Sequence, residues 1–107
     1  MDFKEYQEEI KRTAGDMKEL KECLTLGAMG ISGEAGEVTD YIKKVIYHSH
    51  ELSKEKLAEE LGDVLWYIGY LTESIGYNLE EIAELNKSKL RKRYPNGFEE
   101  ERSINRE

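Results

Sequence analysis

Apolar residues recur along this chain every three to four positions in separate blocks, and almost nowhere alternate as a half-buried strand would require. Phe3, Tyr6 and Ile10 mark a short helix over residues 2–13, with Asp2 as N-cap and Glu5, Glu8, Glu9 and Lys11 on its polar side. Gly15 and Asp16 interrupt the pattern. The charged segment from Met17 to Cys23 reads as a turn of helix leading into the next one, its state left open. A stripe of Leu24, Ala28, Ile31, Ala35, Val38, Ile42 and Val45 predicts a long helix from about Leu24 to Tyr47, roughly 35 Å at 1.5 Å per residue. His48-Ser49-His50-Glu51 connects it to a helix over Lys54–Ile75, capped by Ser53, whose stripe is Leu57, Leu61, Val64, Ile68, Leu71 and Ile75. Gly76 closes that helix. Asn78 opens the last one, with Glu81 at the capping-box position and an apolar face of Leu79, Ile82, Leu85 and Leu90 running to about Arg93. Pro95-Asn96-Gly97 ends it, and the charged tail 99–107 is expected to be poorly ordered unless a partner holds it.

The pattern predicts an all-α fold: a single domain over residues 1–107, built as a bundle of about four helices. Gly27, Gly30, Gly33 and Gly36 lie inside the long helix, where glycine costs about 1 kcal/mol each against alanine. Close approach of a neighbouring helix or of a ligand would explain them; otherwise this part is not helical at all.

Charge narrows the function. With 16 basic and 23 acidic residues the formal net charge is −7, which argues against a nucleic-acid partner. An anionic substrate would have to arrive with a metal ion or meet a local basic patch. No apolar run approaches the ~18 residues of a membrane span, and nothing resembles a signal peptide, so the expectation is a cytoplasmic chain without a membrane partner. The lone Cys23 reads as a small core residue. His48 and His50, at i and i+2, share no helix face, and no cysteine or third histidine supports a zinc site.

The chemistry concentrates between Gly33 and Asp63. Glu34 with Glu37, and Glu60 with Asp63, are pairs at i and i+3, which share one helix face. Other acids repeat that spacing, such as Glu5 with Glu8 and Glu81 with Glu84, and a solvated helix face explains most such pairs. These two pairs differ because they border the apolar stripes, where carboxylates are rarely left unpaired. Packed antiparallel, the two helices would bring four carboxylates together. Unit charges about 6 Å apart at an effective dielectric of ~20 repel by roughly 3 kcal/mol, so the cluster calls for a cation, and hard oxygen donors suit Mg²⁺ or Mn²⁺. Tyr67 falls one turn beyond Asp63 on the same row. Trp66 and Tyr70 read as core. Lys43 and Lys44 either reach a bound phosphate or stay in solvent. Asn86, Lys89 and Arg93 share a second line on the last helix, either holding a chain of phosphates or forming a solvated cationic helix end.

Three motifs in order carry a resemblance. Gly33-Glu34-Ala35-Gly36-Glu37-Val38 comes first, then Glu59-Glu60-Leu61-Gly62-Asp63-Val64-Leu65-Trp66-Tyr67. Asn86-Lys87-Ser88-Lys89-Leu90 with Arg93-Tyr94-Pro95-Asn96-Gly97-Phe98 comes last. Together, over about residues 26–98, they resemble the MazG-like all-α nucleotide pyrophosphohydrolases, whose signature is ExxE, a spacer, and ExxD. Here the spacer is the 22 residues from Val38 to Glu59. The resemblance implies cleavage of a nucleoside triphosphate between its α and β phosphates, giving monophosphate and pyrophosphate, as nucleotide-pool house-cleaning. It implies Mg²⁺ on Glu34, Glu37, Glu60 and Asp63; whichever acid is not saturated by metal could accept a proton from water, and Glu37 or Glu34 is the expected one. Asn86, Lys89 and Arg93 resemble phosphate contacts, and Tyr67 an aromatic beside the nucleotide. It also implies a homodimer or homotetramer that completes the core, which suits four thin helices that would otherwise leave apolar surface exposed. Two other readings are a non-catalytic helical interaction module, whose acids are surface decoration, and a nucleotide sensor; retention of all four acids speaks against the sensor.

Overall fold

The computed structural model describes residues 1–16 and 18–105. Its helices are α1 (Phe3–Ala14), α2 (Leu20–Tyr47), α3 (Lys54–Ser74), α4 (Leu79–Arg93) and α5 (Glu100–Ile104). Asp2, Ser53 and Asn78 cap α1, α3 and α4 as their sequences demand, each side chain accepting from the backbone N–H three residues on. At α4 Glu81 returns the bond to the Asn78 N–H, completing the capping box. Two boundaries differ from expectation. The second helix starts at Leu20, earlier than its apolar stripe, so most of the segment left open is helical; Met17 itself lies outside the described residues. The tail expected to be poorly ordered carries α5, whose Glu100 and Glu101 in the first turn and Arg102 in the last complement its dipole.

α2 and α3 form an antiparallel hairpin. A Cβ on Gly30 would overlap the Tyr67 ring, and one on Gly27 would come within 2.9 Å of Leu71, so these glycines let the two backbones close. The connection is pinned by Tyr41, whose phenol oxygen accepts from the Ser53 N–H at 2.8 Å. α1 lies across α3, where Ile10 sits over Gly69 and forms the core with Cys23 and Tyr70, flanked by Tyr6, Ala14 and Trp66. Cys23 is buried, the small core residue its surroundings suggested. Trp66 stacks on Tyr70 and donates to Thr13 Oγ1 at 2.9 Å.

The hairpin closes through a different row from the one periodicity favours. The glycine-and-acid row of α2 (Gly27, Gly30, Glu34) faces α3, and the apolar stripe beside it is covered only in part: Ile31, Val38 and Val45 are half-buried, as are Leu57, Val64, Ile68 and Leu71 on α3. Leu24, Ile42 and Ile46 on α2, and Leu61, Leu65 and Ile75 on α3, are all exposed. In an antiparallel pair, stripes displaced in the same rotational sense from the contact row fall on one side. One side of the hairpin is therefore an apolar sheet of side chains, and the opposite side carries α1 and the acids. α4 touches α1 and α3 at its start, where Leu79 is buried, and Leu85 and Leu90 further along are exposed. The radius of gyration, 16.9 Å, exceeds the ~13 Å of a compact chain of this length.

Candidate functional site

Glu34 projects from α2 toward Glu60 and Asp63 on α3, and one oxygen of each lies within 4.8 Å of the others. Gly30, one turn before Glu34, leaves room for the Tyr67 ring and so lets the two helices approach beside the acids. Glu37, one turn further along α2, is exposed and stands outside this group of three. Partial burial, followed by the charges of Asp63, Glu60 and Glu37, raises the Glu34 carboxyl above the usual carboxylate range. The Lys56 ammonium sits 3.2 Å from Glu60, and that hydrogen bond raises the lysine above its ordinary value.

Mg²⁺ binds oxygen at ~2.0–2.1 Å, which sets neighbouring ligand atoms about 3 Å apart and opposite ones about 4 Å apart. Three carboxylate oxygens within 4.8 Å of one another need close by only a fraction of an ångström to reach that spacing, and all are hard donors. The cluster already draws a lysine ammonium onto one of its members, so the demand for a cation is visible in the ion pairing itself. The residues present fit a divalent ion.

Around the acids, Tyr67 lies against Gly30 and meets Trp66 edge-on at 5.0 Å. Lys44 is ion-paired to Asp40 at 2.9 Å, with Lys43 on the other Asp40 oxygen at 3.4 Å. Those two lysines hold Asp40 below the usual carboxylate range. Asn86, Lys89 and Arg93 are not brought to the acids within the chain. They lie on the part of α4 beyond its contact with α1 and α3, and Lys89 and Arg93 line an open groove of about 720 Å³ with Lys92, Glu99 and Arg102. Gly33, Gly36 and Gly62 have open space where a side chain would be.

Two residues escaped the sequence reading. Lys56 was legible as a partner four positions before Glu60. Tyr6 was not, because only the docking of α1 brings it close enough for Asp63, after burial, to raise its phenol above the ordinary value.

The order of the three motifs agrees with a direct comparison: residues 23–98 match the MazG nucleotide pyrophosphohydrolase domain. The chain belongs to that family. The match begins at Cys23, so MazG-type sequence spans α2 to the end of α4, while α1 lies before it. The Gene 37 protein of Mycobacterium phage L5 is 33% identical over 88 residues, covering 78% of this chain and 76% of that protein. No solved structure matches significantly. Among the described residues no helix is long and apolar enough to cross a membrane.

Proposed function

We propose that this MazG-family chain is a divalent-metal-dependent pyrophosphohydrolase, cleaving nucleoside triphosphates between the α and β phosphates to monophosphate and pyrophosphate. The observation that carries the proposal is the convergence of Glu34, Glu60 and Asp63 from two helices, within the stretch that matches the family. Glu34, Glu60 and Asp63 would hold Mg²⁺ or Mn²⁺, which supplies positive charge to the phosphate oxygens as negative charge builds on them. Glu37 stands outside the three-oxygen group with its carboxylate in solvent, so it is the acid available to accept a proton from an attacking water. Lys56, displaced from Glu60 when the acids are otherwise neutralised, and Lys44, two turns past Glu37, supply ammonium groups for the outer phosphates. Tyr67 and Trp66 offer aromatic surface for the base.

The site is completed by a second copy of the chain. The apolar side of the hairpin needs a cover of like character, and α4 runs away from its own acids with Asn86, Lys89 and Arg93 unspent. A homodimer closed through the apolar sides, with α4 of each chain reaching the acids of the other, answers both. The exposed apolar side also favours a plain interaction module, which leaves the three converging carboxylates without a purpose.

The deciding experiment is release of pyrophosphate from a panel of ribo- and deoxyribonucleoside triphosphates with Mg²⁺, with Mn²⁺ and with chelator. Metal-dependent release of monophosphate and pyrophosphate is expected. Glu60→Ala and Asp63→Ala should abolish it while leaving helicity and the melting temperature intact or raised, since like-charge repulsion is relieved. Loss of helicity in these variants would make the acids structural, and absence of cleavage with either metal would leave the interaction module standing.

A further inference from the structure

Gln7 is one of two buried polar residues among the described ones, the other being Thr72, and it alone of the two bonds to other helices. It is 5% exposed, yet lies on α1, before the stretch that matches the family. Its Nε2 donates to Glu73 Oε1 of α3 at 2.5 Å, and its Oε1 accepts from the Leu79 N–H at 2.9 Å. Lys11, one turn on, stands 3.9 Å from the other Glu73 oxygen. The Leu79 N–H is the first amide of α4, one of the four that a helix cannot satisfy internally. Asn78 and Glu81 serve their own reciprocal bonds, so the amide at position 79 is satisfied from a different helix. One buried amide side chain thus joins α1, α3 and the first residue of α4.

That junction is a lever. α4 is held at its start, by Gln7 and by Leu79 packed beside Ile10 over Gly69. Lys89 and Arg93 follow Leu79 by 10 and 14 residues, about 15 and 21 Å along the axis. A change of ~10° in the angle at which α4 leaves would move Arg93 by about 4 Å, enough to take its guanidinium out of hydrogen-bond reach of a phosphate oxygen. We infer that Gln7 is a positioning residue, fixing the angle of α4 and hence where Asn86, Lys89 and Arg93 meet the triphosphate. The functional half of this rests on the proposed hydrolase; the geometric half does not.

The test uses an exchange of isosteres in the full-length chain. Gln7→Glu sets a second carboxylate against Glu73 and removes the donor, so the two acids repel and the side chain at position 7, no longer anchored to α3, is pushed off the Leu79 N–H as well. Gln7→Glu with Glu73→Gln restores both bonds, since the new carboxylate accepts from the Leu79 N–H and from the new amide. Amide hydrogen exchange of α4, compared with that of α2 and α3, reads the geometry; KM and kcat for the best triphosphate read its consequence. Expected for Gln7→Glu are faster exchange confined to α4 and a KM raised about tenfold with kcat within about twofold, both returning to wild type in the double variant. Unchanged exchange in α4, or exchange raised equally in all helices, would overturn the inference, the second because Gln7 would then serve general stability alone. A selective change in α4 with KM unmoved would overturn the link to substrate. If the wild-type chain cleaves no triphosphate, the hydrolase proposal falls, and the exchange pattern still decides whether Gln7 sets α4.

Discussion

Glycines at one helical spacing carry different meanings along α2. Gly30 is required by the Tyr67 ring, so Gly30→Ala should overpack the hairpin and cost about 1–3 kcal/mol in chemical denaturation. Gly33 and Gly36 face open space within the chain, so alanine there should stabilise the helix by up to about 1 kcal/mol each. If Gly33→Ala gains stability but loses turnover, a phosphate or a second chain comes against that backbone. The sequence posed this question for all four glycines and could not divide them, because the answer depends on which row faces α3. Glu34 offers a pH test. Its carboxyl is raised in the folded chain, so the fold holds its proton more tightly than the unfolded chain does, and this contribution to stability is lost as pH rises through the raised value. Without metal, Glu34→Gln should therefore melt higher than wild type at neutral pH. The gap should shrink as pH falls toward the ordinary glutamate range, and divalent metal at neutral pH should stabilise wild type more than the variant. A gap independent of pH would mean that the Glu34 charge is not under strain.

At the scale of elements, the chain announces its helices well. Caps at Asp2, Ser53 and Asn78, with apolar recurrence between them, located α1, α3 and α4, because capping and periodicity are local chemistry. α5 was missed because its five residues have little apolar pattern and are held by end charges. The α2–α3 connection adds a device that periodicity cannot reveal, a tyrosine inside one helix satisfying the backbone at the start of the next. Tyr41→Phe should release the Ser53 N–H, costing about 1 kcal/mol and speeding exchange of the loop between α2 and α3. Turnover should fall with it, since this loop holds Lys44 and Lys56 at one end of the site; a fully active, equally stable Tyr41→Phe chain would show that the connection needs no pin.

At the scale of the molecule, the sequence correctly marked rows of acids beside rows of apolar residues, but the chain closes most tightly on the glycine row and covers the apolar stripe only in part. Ile31, Val38 and Leu71 are half-buried along the hairpin, whereas Leu24, Ile42, Leu61 and Leu65 stay exposed. If the proposed homodimer closes through these residues, Leu61→Arg should convert it to single chains in sedimentation without loss of helicity, and cut turnover with it. The departure of α4 from its own acids has a genetic counterpart. Two defective copies of the gene, one encoding Asp63→Ala and the other Lys89→Ala with Arg93→Ala, would each be silent alone. Expressed together in equal amounts, half of the pairs would be mixed, and each mixed pair would contain one site free of both lesions, restoring about a quarter of the wild-type rate. The two alleles would complement within a single gene, as alleles do when one working site is assembled from two polypeptides.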